Sequence, residues 1–299
     1  MLKEKNFFKK LPFDKKKLKK NILKTKQEFD LLYSEFKNCD SPLLESYKKD
    51  YKLNFSISNL KKLSKYENII IFGMGGSILG TKSIYSFLKK KIKKKIFFFD
   101  NLDENQHAEF KKIKNLKNSC FVVVSKSGNT LETIVNLCLI FSKSLIKNNL
   151  FVITELKDSN LIHVAKKFNA EIIEHKNFIG GRYSVLSEVG MLPAALMGLD
   201  INKFRNISKL IENKFFVKSL IKNVAYLYSL NQKNIKNSVI LSYDSDLNDL
   251  GYWYQQLTAE SLGKKGRGIT PILSSAPRDH HSMLQLYLDG PKDKIYTFF

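Results

Sequence analysis

Four consecutive apolar residues, Ile69-Ile70-Ile71-Phe72, run straight into Gly73-Met74-Gly75-Gly76-Ser77. The run lacks the alternation of a half-exposed strand, so it predicts a strand of a parallel sheet buried on both faces. The glycines let the backbone turn tightly. Ser77 then stands at the start of a predicted helix, where free backbone N–H groups and the positive end of the dipole favour an anion. The plan repeats further on: residues 121–124 read as a strand, Ser125-Lys126-Ser127-Gly128-Asn129-Thr130 as its loop and Leu131 onward as the helix. Two such loops from one parallel sheet end at the same sheet edge, where open α/β folds place ligands.

Hydroxyls, amides and glycines together suit a phosphate. The first loop has no closing Gly-Lys-Ser/Thr, so it is not a P-loop, and isoleucine at 78 stands where the last glycine of a dinucleotide fingerprint belongs. A nucleotide is therefore disfavoured. Glycine-rich turns also occur for geometry alone. Yet three hydroxyl residues in the six positions of the second loop are more than a turn needs, and the pair of loops reads as an anion site.

Strands are predicted near 69–72, 96–99, 120–124, 150–153 and 171–173, with helices near 77–92, 104–115, 129–146 and 158–168. Strands alternating with crossover helices predict a doubly wound parallel sheet. Residues 1–65 are lysine-rich and helical in pattern, with Ile22, Phe29, Leu32 and Phe36 near one face, and read as an extension that packs through that stripe. The pair Gly180-Gly181 presents Arg182, and Ser184 is placed to cap a helix that runs through Leu196 and ends at Gly198. Residues 201–236 look helical. A second strand-to-helix unit follows: a strand near 239–243, a helix from Ser245 or Asp246 to Leu262, a short helix near 280–288 and a strand at 294–299. The expected organisation is an α/β protein with a helical extension at 1–65, a first domain at 66–200 and a second at 201–299. Ending on a strand that no helix covers, the second domain is expected to be C-terminally incomplete.

The net charge of +23 invites a nucleic-acid or membrane partner. Its make-up argues otherwise, because 47 of the 51 basic residues are lysine and only Arg182, Arg205, Arg267 and Arg278 carry the planar fork that base readout and phosphate clamping favour. The lysines are read as solvated helix faces, and neither nucleic acid nor membrane is expected as a partner. Cys39, Cys120 and Cys138 are odd in number and lack metal spacing, so free, buried thiols in a reducing compartment are expected. No apolar run approaches the roughly 18 residues of a membrane span, and a cytoplasmic location is expected.

Gln256 and Glu260 are four apart on a predicted helix and so share a face. Glu260 stands near the negative end of that helix, a setting that favours the protonated carboxyl and suits a general base near neutrality. His280 and His281 open the next helix behind Asp279. Standing alone, these residues are solvent-facing or helix-capping groups as readily as catalysts.

GMGGS at 73–77, SKSGNTLET at 125–133, GGRYS at 180–184, QLTAESLGK at 256–264 and DHHSMLQL at 279–286 appear in order. With these five motifs the chain, over 66–299, resembles the glucose-6-phosphate isomerase family, whose fold is a pair of sugar isomerase (SIS) domains, each a doubly wound α/β/α sheet. The resemblance implies that Gly76 and Ser77, with Ser125, Lys126, Ser127 and Thr130, hold a sugar 6-phosphate. It implies that Arg182 steadies the charge of an enediolate, that Gln256 holds substrate and that Glu260 moves a proton between carbons 1 and 2. His281 matches the ring-opening histidine, which the neighbouring subunit supplies in that family, so a homodimer is implied. The residue before it is commonly glutamine and here is His280, which leaves both histidines as candidates. Proton transfer of this kind uses no metal or redox cofactor, and none is expected. Family members continue past the Gly-Pro-x-Asp-Lys strand to a segment with a ring-opening lysine that nothing here matches. The rival reading is therefore an inactive fragment or a non-catalytic SIS-type sugar-phosphate sensor, which would have no use for Glu260 and His281 in family context.

Overall fold

The computed structural model describes residues 14–56, 65–141, 149–232 and 235–299. The chain divides into two compact units: Lys52–Phe204 with Ser245–Leu257, and Arg205–Asp244 with Thr258–Phe299 and the residues up to Tyr51.

The first unit is built on five parallel strands, β1 (Asn68–Gly73), β2 (Lys95–Phe99), β3 (Ser119–Val124), β4 (Leu150–Thr154) and β5 (Glu171–Glu174), in the order β2-β1-β3-β4-β5. The unalternating runs are central, as their burial on both faces demands. Ile69, Ile71, Val122 and Val124 pack on one side with Val189, Leu192 and Leu196 of the helix Glu188–Leu196. Ile70, Phe72, Phe121 and Val123 pack on the other with Phe110, Leu137 and Leu161 from the helices Glu104–Lys112, Leu131–Phe141 and Asn160–Lys167. Each such side chain, wholly removed from water, contributes roughly 1.5–3 kcal/mol. This core therefore fixes where the loops leave the sheet. From β1 the chain moves outward to β2 and then returns to β3 on the other flank. The order reverses between β1 and β3, which makes that junction the switch point where ligands gather in such folds.

The second unit carries a smaller parallel sheet of β6 (Asn237–Ser242), β7 (Thr270–Ser275) and β8 (Lys294–Phe298), ordered β7-β6-β8. This repeats the β2-β1-β3 arrangement of the first sheet. Val239 and Leu241 pack under Met283 and Tyr287 of the helix His280–Asp289. Ile295 of β8 joins Leu18, Ile22, Tyr226 and Leu230, where the helices Lys15–Asn38 and Lys214–Asn231 meet.

Several local expectations are corrected. The N-terminal helix buries Leu18 and Asn21 rather than a stripe reaching Leu32, which stays 51% exposed; the Asn21 amide donates to Ser229 Oγ at 2.7 Å across the helix pair. The residues of 1–65 before 14 and at 57–64 lie outside the described ones, as does the predicted helix beyond 141. Residues 181–186 form a 3-10 turn, and Ser187 caps the next helix, accepting from the Val189 N–H at 3.3 Å. Of the cysteines, only Cys120 is buried, its thiol pushed up to about 12 by desolvation, whereas Cys39 and Cys138 are exposed. Residues 270–275, left unassigned by the sequence, form β7; Pro271 is tolerated there because β7 is an outer strand of the described sheet.

Candidate active site

At the end of β1 the backbone makes the 3-10 turn Gly75–Ser77, Gly75 lying at φ +52°, before the helix Leu79–Leu88 begins. Gly76 presses on Gly181: a Cβ added at Gly76 would stand 2.3 Å from the Gly181 carbonyl carbon and 2.7 Å from the Arg182 nitrogen. The buried Ser184 hydroxyl lies 3.1 Å from the Gly76 carbonyl and 2.7 Å from that of Gly181, in position to donate to both. This use of the hydroxyl explains why Ser184 is not the cap of the following helix.

The loop after β3 closes on its own hydroxyls. Ser125 Oγ and Thr130 Oγ1 are 2.9 Å apart, and the Gly128 N–H donates to Ser125 Oγ at 3.2 Å. Gly128, at φ +70°, could not carry a side chain, because a Cβ would lie 2.2 Å from Ser159 Oγ. Neighbouring loops clamp the outside: the Leu161 N–H donates to Gly128 O, and the Glu155 N–H donates to Lys126 O at 3.1 Å. The Lys126 ammonium donates to Asn177 O at 2.7 Å and lies 3.7 Å from Glu155 Oε1.

Arg182 is half-buried, its guanidinium 4.5 Å from the centre of the Tyr183 ring. Gln256 approaches the first loop, since a Cβ at Gly75 would come within 3.0 Å of Gln256 Nε2. A hydrogen bond from Ser86 to Asp249 ties the first turn of the helix Asn248–Leu262 to the helix Leu79–Leu88. The first unit thus brings Gly76, Ser77, Ser125, Lys126, Ser127, Thr130, Arg182 and Gln256 to the carboxyl edge of its sheet. Glu260 lies one turn beyond Gln256 on the same helix, exposed, in the part of the chain that belongs to the second unit. The structure tells the two histidines apart. The His280 Nε2 is 3.2 Å from Tyr243 OH with the rings edge-on, whereas His281 is exposed in the first turn of its helix.

Three groups behind these loops escaped the sequence reading. The Lys157 ammonium, hydrogen-bonded at 2.5 Å, holds the Glu155 carboxyl below the usual carboxylate range, with Lys126 adding to the effect. Glu188 is fully buried at the first turn of its helix and accepts from the Asn54 N–H at 2.9 Å. His175 is 2% exposed, and desolvation pushes it below its ordinary 6.5. Its ring is neutral in the fold, while the unfolded chain takes up a proton near 6.5; the stability it lends is complete above that value and is lost as pH falls through the lower folded value. The thermal midpoint is expected to drop as pH falls below the ordinary imidazole value of 6.5. His175→Gln should flatten that slope, and an unchanged slope would show that another group causes it.

Among the described residues no helix is long and apolar enough to cross a membrane. Residues 59–271 match the family model described as Phosphoglucose isomerase. The chain is 39% identical over 285 residues to glucose-6-phosphate isomerase of Methanocaldococcus jannaschii, covering 90% of this chain and 70% of that one. It is 36% identical over 290 residues to a probable glucose-6-phosphate isomerase of Methanococcus maripaludis, covering 93% of this chain and 64% of that one. In fold it is similar to the crystal structure of a glucose-6-phosphate isomerase from Chlamydia trachomatis, with TM-score 0.69 and 23% identity over 81% of this chain and 51% of that one. A single family model spanning both sheets' first strands, with relatives aligned along nine-tenths of its length, leaves one conclusion: the chain belongs to the phosphoglucose isomerase family.

Proposed function

We propose that the protein interconverts glucose 6-phosphate and fructose 6-phosphate through an enediol, with two sugar isomerase domains at 66–200 and 201–299 and a helical extension at 1–65. The observation that carries the reading is the convergence of the loops after β1 and β3 at the switch point, one pressed on the arginine turn and the other lined by paired hydroxyls. The Ser125, Ser127 and Thr130 hydroxyls, with Ser77 and the backbone at Gly76, are the phosphate donors. In the ring-opening step, His281 takes the proton from the C1 hydroxyl and protonates the ring oxygen. Glu260 then removes the proton from carbon 2 and delivers a proton to carbon 1, its carboxyl exchanging with solvent in between, while protons shift between the two oxygens. Carbon 1 is reduced and carbon 2 oxidised within one molecule, so the electrons balance without an external partner. The Arg182 guanidinium offers a fixed cation to the enediolate, the kind of preorganised charge that does most in a dry site. Gln256 orients the sugar. A homodimer in the cytoplasm, each subunit lending His281 to the other, completes the reading.

Hydrogen bonds to a charged group contribute roughly 1.5–3 kcal/mol each. Ser125→Ala with Thr130→Ala is therefore expected to weaken binding of an inert sugar phosphate by at least about tenfold. Titration calorimetry with 6-phosphogluconate checks it, and an unchanged dissociation constant would remove these hydroxyls from the phosphate site.

A further inference from the structure

We propose that Lys126 is a positioning residue: its ammonium straps the loop after β3 to the turn at 176–179 and so sets the place of Gly180-Gly181-Arg182. The proposal rests on the isomerase reading for its kinetic consequence only. Three observations carry it.

Lys126 has protein acceptors beside it. One of its three N–H groups goes to Asn177 O at 2.7 Å, and the Glu155 carboxylate stands 3.7 Å away on another side. Glu155 holds this residue at both ends, because its own backbone N–H donates to Lys126 O at 3.1 Å. The Glu155 carboxylate, shared with Lys157, offsets part of the field of the Lys126 ammonium and favours its staying beside the protein.

The strut reaches a turn that needs an anchor. The Ile179 N–H donates to Lys176 O at 3.1 Å and buries Ile179, which points the Asn177 carbonyl at the lysine. The next two residues are glycines, which have the widest backbone freedom, so the place of the 3-10 turn that carries Arg182 depends on what holds the chain before it. On its far side the segment is held by Ser184 and by the Gly76 contact. On its near side Lys126 adds a hold to that of the buried Ile179, across 51 residues of sequence.

The strap also joins two functions of one site. The hydroxyls of its loop face the phosphate, and the turn it grips presents the cation for the enediolate. Loss of the strap should loosen Arg182 while leaving the Ser125–Thr130 hydroxyl pair, which is tied from other directions, in place.

The test compares Lys126→Met with the unchanged chain by amide hydrogen exchange and by phosphate affinity. Exchange at the amides of 178–183 is expected to accelerate by about tenfold or more, with the dissociation constant for 6-phosphogluconate within about threefold of the starting value. Where turnover is measured, kcat falls and KM hardly moves. Lys126→Arg, which keeps a cation and a donor for Asn177, is expected to retain slow exchange and provides the readout should the methionine variant fold poorly. Phosphate affinity lost by more than about tenfold with exchange at 178–183 unchanged would overturn the proposal and make Lys126 a phosphate ligand. Exchange and phosphate binding need no catalysis, so both readouts separate a strut from a phosphate ligand even in a chain without isomerase activity.

Discussion

Gly76→Ala is expected to cost the protein both stability and sugar-phosphate binding. A Cβ there would meet the Gly181 carbonyl carbon at 2.3 Å, its oxygen at 2.4 Å and the Arg182 nitrogen at 2.7 Å. All three are backbone atoms, so no rotamer change relieves the clash and one loop must move bodily. Overpacking of this kind costs typically 1–3 kcal/mol, and here the strain falls on the turn that carries Arg182. The reverse substitution, Gly181→Ala, is expected to be nearly neutral, because its Cβ would meet nothing closer than Gly76 Cα at 3.9 Å. Thermal unfolding and 6-phosphogluconate titration of the two variants check this. Equal behaviour of the pair would contradict the packing described for these loops.

Glu260→Gln is expected to lower turnover by about a hundredfold to ten-thousandfold, the range general-base catalysis commonly supplies. Glutamine keeps the size and hydrogen-bonding reach of the side chain but cannot accept the carbon-bound proton. Sugar-phosphate affinity should hardly change, since the phosphate donors proposed above stand on the loops after β1 and β3, well away in sequence. A fall in kcat with KM retained is the signature of a group needed in the transition state. If KM rose instead with kcat kept, Glu260 would be a binding residue.

How much of the fold and site is legible in the sequence follows from the physics of each element. Strands β1, β3 and β4 announce themselves because burial on both faces leaves unbroken apolar runs between their polar ends, and the loops after β1 and β3 can be placed at one edge from parallel topology alone. Strand β7 is missed because Thr270-Pro271 begins it, and proline reads as a breaker unless its outer position is known. Ser184 reads as the cap from sequence, but its hydroxyl is claimed by the Gly76 and Gly181 carbonyls and Ser187 caps instead. The exposure of Cys138 and the burial of Glu188 depend on which helix face meets the sheet, and nothing local encodes that. The same holds for Lys126. Its motif speaks for an anion, while its partners Asn177 and Glu155 are brought to it only by the stacking of β3, β4 and β5.

Proton transfer between carbons 1 and 2 is the step on which the isomerase reading stands, and exchange with solvent reads that step directly. Glucose 6-phosphate incubated in deuterium oxide with the purified 299-residue chain should lose its carbon-2 proton signal as deuterium replaces it. The loss should vanish with Glu260→Gln. A carbon-2 signal that stays constant for the unchanged chain, although 6-phosphogluconate binds, would contradict the isomerase reading and leave a sugar-phosphate-binding protein without catalysis.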